Sequence, residues 1–286
     1  MGAIRIIADS CCDLPQELTK AYGITVIPLY VLLGEKVYQD GVDITSQMLY
    51  DYFDATAQTP KTSAANVGDY EDCFRPFVEA GDAIIYIGLS ASMSSTLANA
   101  KTAAGLFPEA KIACIDSKNL STGIGLIVLR AAEMVREGLS FDEIVKNVEQ
   151  LTELSRASFI LEKLEYLRRG GRCSLLASMG ASMLSIKPEI AVRNGSMSNR
   201  SKFRGSMVSC TEKYVQSLLA NPDRIDKRRA IATWTTGTDE AVVEAMCSTA
   251  KAANLFDEIL YTQAGGVITS HCGRNTVGLL FLDKPE

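Results

Sequence analysis

The sequence predicts an α/β protein in two parts, and three observations carry that prediction. Residues 83–87, Ala-Ile-Ile-Tyr-Ile, form a β-branched apolar run too short for an ordinary helix, so they predict a buried strand. A hydroxyl-rich turn follows, and then Leu97, Ala98, Ala100, Ala103, Ala104 and Leu106 fall at the spacing of a helix packed on a sheet. Strands and helices of this kind alternate as far as Leu154. Beyond it the tetrapeptide Arg193-Asn194-Gly195-Ser196 carries the strongest short hairpin signal, which makes the second part more antiparallel.

The chain has 286 residues, 47% hydrophobic and 22% charged, which is enough for two domains, expected over 1–155 and 156–286. A formal charge of −5 and the lack of a broad basic stripe argue against nucleic acid as a partner. No apolar run approaches the roughly 18–20 residues of a membrane span, and the start lacks the basic-then-apolar pattern of a signal peptide, so a cytoplasmic protein without a transmembrane segment is expected. Eight cysteines with no Cys-x-x-Cys pair, beside a single histidine, give no metal-ligand spacing and predict small packed side chains, Cys11 and Cys12 included. No heptad or broad apolar surface pattern marks a subunit interface.

Taken in order, residues 4–8 predict a first strand, and Asp9 to Pro15 turn it into a helix, with Asp13 a natural N-cap and Asp9 a brace for the turn. Residues 25–33 predict a second strand, placed at an edge or bulge by Pro28, with Gly34-Glu35-Lys36 turning it into a hairpin. A polar helix capped by Thr45 is expected over 44–57 and another over 67–80, opened by Ser63 or Asn66. After the strand at 83–87 and its helix, residues 111–115 predict a strand and 126–135 an apolar helix, preceded by Gly123 and Gly125. A helix over 141–154, opened by Ser140, closes the first part. In the second part strands are expected at 157–161, 186–192, 203–208, 229–234, 258–263 and 277–282, and helices at 211–220 and 240–253, with Gly170 and Gly171 stopping a segment that begins near Leu161.

Candidate chemistry sits in the turns. Ser90, Ser92, Ser94, Ser95 and Thr96 exceed what one helix cap requires, and a hydroxyl-rich turn at a helix N-terminus suits a carboxylate or phosphate. Thr62 and Ser63 make a second hydroxyl cluster, for which capping alone is a sufficient account. Arg168, Arg169 and Arg172 suit an anion, or simply complement a helix dipole. His271 is either a hydrogen-bonded structural residue or a general base or donor. Neither a Gly-x-Gly-x-x-Gly nor a Walker sequence is present, so dinucleotide or ATP binding is unsupported.

In order and spacing, Asp9-Ser10, Asp13-Leu14, Thr62-Ser63, Gly88-Leu89-Ser90 through Ser94-Ser95-Thr96, Asp116-Ser117, Ser121, Gly123, Leu164, Leu167, Gly170-Gly171-Arg172 and His271-x-Gly273 resemble the DegV family of bacterial fatty-acid-binding proteins. The resemblance implies an N-terminal parallel sheet flanked by helices, a C-terminal mixed sheet with helices, and a long-chain fatty acid between them. It also implies a carrier rather than an enzyme, with no cofactor, that presents the acid to a separate fatty acid kinase and carries the acyl phosphate toward phospholipid synthesis, with transient contact to a membrane surface. Carried over by position, Thr62, Ser63, Ser94, Ser95 and His271 would bind the carboxylate, and Arg172, Lys202 and Arg204 would meet charge at the mouth. Such a scheme is physically coherent: several donors offset the desolvation of a buried carboxylate, and the tail gains about 0.8 kcal/mol per buried methylene.

Five positions depart from that family pattern. Ser95 stands where glycine is common, Asn66 replaces a usual serine, Cys173 follows Gly-Gly-Arg in place of an apolar branched residue, and Arg274-Asn275 replaces the proline and second glycine after Gly273. Two other functions fit the same residues: a sensor or scaffold for another small anion, and a serine-type acyl hydrolase or transferase with Ser94 or Thr62 as nucleophile and His271 as base. No Gly-x-Ser-x-Gly elbow is present for the latter.

Overall fold

A computed structural model describes residues 2–172 and 186–285; Cys173 therefore lies outside the described residues. Four strands form an all-parallel sheet in the order β2-β1-β6-β7: β1 (Ile4–Asp9), β2 (Ile24–Ile27), β6 (Ala83–Gly88) and β7 (Ile112–Asp116). Because helices cover both faces, its central strands are mostly apolar: β6 is an unbroken apolar run, and β1 is broken only by Arg5 before it ends at Asp9. On one face lie α3 (Val67–Glu79) and α4 (Thr96–Ala104); on the other lies α5 (Thr122–Arg136), with α6 (Phe141–Leu154) against β7.

The second sheet is mixed. It runs β11-β10-β9-β14-β12-β13, with the two-residue β8 (Ser155–Arg156) also on β14; only β12 and β13 are parallel. Its members are β9 (Ser158–Leu161), β10 (Ile186–Arg193), β11 (Ser196–Arg204), β12 (Ile225–Trp234), β13 (Glu258–Gln263) and β14 (Thr276–Asp283). Along β14 the pleat divides the side chains between two cores: Val277, Leu279 and Phe281 pack toward α8 (Met207–Leu218) and α9 (Glu240–Ala252), Leu280 and Leu282 toward α5. Helix α5 is thus shared by both sheets, and it is buried nearly all round, as its apolar sequence requires. Gly125 permits this closeness, since a Cβ there would lie 2.7 Å from the Cys12 carbonyl oxygen.

Several boundaries differ from the sequence expectation. The run 25–33 is two strands, because Pro28 ends β2 and the chain enters β3 (Tyr30–Leu33) of a separate antiparallel sheet, β4-β3-β5, with β4 (Lys36–Gln39) and β5 (Lys61–Ser63). Three-residue β5 has no periodicity to read and pairs only across sequence-distant β3. Of the expected strand 203–208 only Phe203 and Arg204 are strand, the end of β11; Gly205 then sits at φ +130° and Ser206 caps α8 by accepting from the Ser209 amide. Helix α5 starts at Thr122, so Gly123 lies inside it, where its lack of a side chain makes room for Asn119. As expected, Thr45 caps α2 (Ser46–Thr56), Ser140 caps α6, and Asn194 and Gly195 turn the β10–β11 hairpin, both at positive φ.

Candidate functional site

At the carboxyl ends of the parallel strands lies a narrow cavity, about 590 Å³ only when the solvent at its open mouth is counted, lined from both parts of the chain. Its wall is mostly apolar: Cys11, Leu29, Leu89, Leu120, Met197 and Val267 are among the lining residues. The polar groups are few and gathered. Thr62 and Ser63 come from β5, Ser94 from the turn before α4, Arg172 from the segment after α7 (Glu165–Gly170), and His271 from α10 (Gly266–Cys272).

Thr62 Oγ1 lies 2.8 Å from His271 Nε2, a contact across 209 positions of sequence. The other ring nitrogen, Nδ1, is buried and has no hydrogen-bond partner among the described residues. Burial, helped by the nearby Arg172 charge, pushes the His271 pKa down to about 4, so the ring is neutral at pH 7. Gly170 holds the ring in place: a Cβ there would sit 2.3 Å from Nδ1. The sequence reading assigns Gly170 and Gly171 to stopping a helix; Gly171 does so, at φ +69°, whereas Gly170 makes room for the imidazole.

Ser94 Oγ is 2.5 Å from Thr96 Oγ1 and accepts from the Thr96 amide, so one hydroxyl pair both opens α4 and edges the cavity. Ser90 points elsewhere, donating to the Gly195 carbonyl across the two parts. Ser95 is exposed and outside the lining; it has φ −77° and ψ 0°, a conformation that any residue adopts, so a serine replaces glycine there without strain. Lys202 and Arg204, on the outer surface of β11, are also exposed and outside the lining. Of the eight candidates, the structure gathers Thr62, Ser63, Ser94, Arg172 and His271 at one cavity. Alternation along β11 turns the other two basic side chains outward, and the α4 turn does the same for Ser95.

Three buried carboxylates position this site. Asp9 accepts from the Cys11 and Leu89 amides and from Tyr86, which braces the turn as expected. Asp13 does not cap the first helix; it accepts from Ser121 Oγ at 2.5 Å and from the Gly265 amide at 2.8 Å. Asp40 accepts from Ser10 Oγ and from the Gly266 amide at 2.6 Å. Asp13 and Asp40 therefore hold the N-terminus of α10, the helix that carries His271, against the first part of the chain. Asp40 gives no motif in the sequence, and only the long-range pairing reveals its role. Among the described residues no group of three histidine, cysteine, aspartate or glutamate side chains is placed to hold a metal, and no helix is long and apolar enough to cross a membrane.

Burial pushes the Asp13 carboxyl up to about 8 and Asp9 to about 6, against their hydrogen bonds, and raises Asp40 too. Each of these groups holds its proton more tightly folded than unfolded, so stability falls as pH rises from near 4 through the folded value. His271 has the opposite sign: its stability contribution is full above pH 6.5 and is lost as pH falls toward 4. Urea unfolding should therefore show a decline between pH 6.5 and 8, at most about 1.4 kcal/mol per pH unit for one titrating carboxyl. Asp13→Asn keeps the Gly265 bond through Oδ1, lets Nδ2 donate to Ser121 Oγ in place of the accepted bond, and removes the charge, so it should flatten that slope; an unaltered slope would place the dependence on other groups.

The loop after His271 is fastened by the residues that depart from the family pattern. Arg274 lies 3.0 Å from Asp54 and 4.3 Å over the Tyr50 ring, both on α2. Asn275, at φ +54°, accepts from the Asp239 amide and donates to Glu162. Asparagine tolerates this left-handed conformation, so side-chain bonds supply the order that a proline and glycine would otherwise give.

Comparison with known proteins agrees with this fold. The DegV family model, described as an uncharacterised protein family, matches residues 3–284. A DegV domain-containing protein of Caldanaerobacter subterraneus subsp. tengcongensis is 30% identical over 284 residues, 99% of this chain and 100% of the relative. A solved structure showing fatty-acid binding of a DegV family protein from Thermus thermophilus superposes with a TM-score of 0.90 at 29% identity, covering 99% of this chain and 100% of that one. A stearic-acid-binding protein from Eubacterium ventriosum superposes with a TM-score of 0.83 at 28% identity, covering 98% of each chain.

Proposed function

This chain belongs to the DegV family, and from that premise we propose that it binds a long-chain fatty acid and presents its carboxylate to a separate fatty acid kinase. The observation that carries the reading is the Thr62–His271 pair at the polar side of an otherwise apolar cavity. With the proton on Nε2, the neutral imidazole donates to Thr62 Oγ1 and leaves the threonine hydroxyl proton free for a carboxylate oxygen. Ser94 offers a second hydroxyl and Ser63 a neighbouring one, so a buried anion would find several donors. Arg172, exposed at the mouth, would favour the acyl phosphate product, which goes on toward phospholipid synthesis; Lys202 and Arg204 would act on the outer surface, toward the kinase or a membrane.

In this proposal the protein is a cytoplasmic carrier of two domains, 1–155 and 156–286, that needs no cofactor. A hydrolase reading is less supported, because His271 Nδ1 has no partner among the described residues to orient the ring as a base. The test is native mass spectrometry followed by denaturing extraction of the purified protein. One fatty acid of roughly 14 to 18 carbons per chain is expected, a length whose methylene burial retains it through purification. A protein that comes off empty and takes up no added fatty acid would overturn the proposal in favour of a small-anion sensor.

A further inference from the structure

A second cleft, of about 870 Å³ and open to solvent, lies in the second part of the chain and shares no lining residue with the first cavity. Four arginines line it: Arg156 from β8, Arg193 from the end of β10, Arg200 from β11, and Arg224 from the short turn before β12. Only one carboxylate, Asp283, lines it with them, which leaves a net formal charge of +3. That carboxylate is already engaged, 2.5 Å from Arg156 Nε. Arg200 reaches the buried Glu189 at 2.9 Å, so counting Glu189 still leaves the cleft at +2. Neither Arg193 nor Arg224 has an ion pair among the described residues.

Such a cluster costs stability unless an anion offsets it. Arg193, an exposed residue, is held below its ordinary pKa by partial desolvation and by the charges of Arg156 and Arg200, against the opposing pull of Asp283 and Glu189. Guanidinium groups present two parallel N–H donors that match the oxygens of a phosphate. A residual charge of about two units matches a dianion better than a monocarboxylate, and the neighbouring Asn221 side chain offers an amide to the same cleft. We propose that this cleft binds a phosphate monoester dianion, with Arg193, Arg200 and Arg224 as its cationic donors. The monoester is either a small soluble phosphate or the headgroup of a lipid such as phosphatidic acid, and the two sources are separable by experiment.

The experiment is calorimetric titration of the full chain with methyl phosphate at about 0.15 M salt, beside co-sedimentation with phosphatidylcholine vesicles that contain or lack phosphatidic acid. Saturable one-to-one binding of methyl phosphate supports a soluble ligand; binding only to vesicles with phosphatidic acid supports a headgroup. In either arm Arg193→Gln and Arg224→Gln should each weaken binding several-fold and together by at least about ten-fold, whereas Lys146→Gln, exposed on α6 and outside the cleft, should leave it unchanged. Because these two arginines lack ion pairs, both variants should unfold without phosphate at the wild-type temperature or above it, and should lose the stabilisation that phosphate gives. Binding in neither arm, or an equal loss in Lys146→Gln, overturns the proposal.

Discussion

Replacing Thr62 and Ser94 together by alanine is expected to weaken fatty-acid binding by about two to three orders of magnitude while leaving the fold intact. Each hydroxyl is a donor to a charged group, worth about 1.5–3 kcal/mol, and about 1.4 kcal/mol corresponds to a factor of ten. Thr62→Ala acts twice, because it also removes the 2.8 Å partner of His271 Nε2. Neither side chain is part of the buried cores, so stability in the empty protein should change little. Displacement of a fluorescent fatty acid measures the affinity, and circular dichroism checks the fold. Wild-type affinity in a folded double variant would remove the carboxylate from this end of the cavity.

Gly170→Ala is expected to damage the same site without touching a polar group. The added carbon would stand 2.3 Å from His271 Nδ1 and 3.1 Å from Cε1, and a ring nitrogen is not the yielding end of a long side chain. The imidazole must rotate or α7 must move away from α10, and overpacking of this kind costs about 1–3 kcal/mol. Either response breaks the Thr62–His271 contact, so fatty-acid affinity should fall nearly as far as in His271→Ala. The discriminating measurement is a double-mutant cycle: once His271 is alanine, Gly170→Ala has nothing to strike, and its stability cost should largely vanish. Additive losses would mean that Gly170 matters for the backbone and not for the ring.

What is legible in the sequence is set by how far apart the interacting residues lie. Capping at Thr45, Asn66 and Ser140 was legible because each cap is a contact over three residues, and the Asn194-Gly195 hairpin because its turn fixes both strands. Asn66 shows this well: where the family has serine, it forms a full capping box with Asp69. By contrast β5 and α10 are too short to carry a period, and these two elements supply Thr62 and His271.

By itself the sequence determined the α/β class, the crossing into a more antiparallel second part and the polar residues gathered at the cavity, since these depend on local periodicity and on a pattern of motifs spread along the chain. Tertiary structure alone decided which candidates converge. It placed Thr62 against His271, turned Ser95, Lys202 and Arg204 away, made Asp13 and Asp40 the anchors of α10, and crowded four arginines into a second cleft. The physical reason is that a side chain's partner is set by sheet pairing and by helix packing between residues up to 252 positions apart, and no local preference encodes that distance.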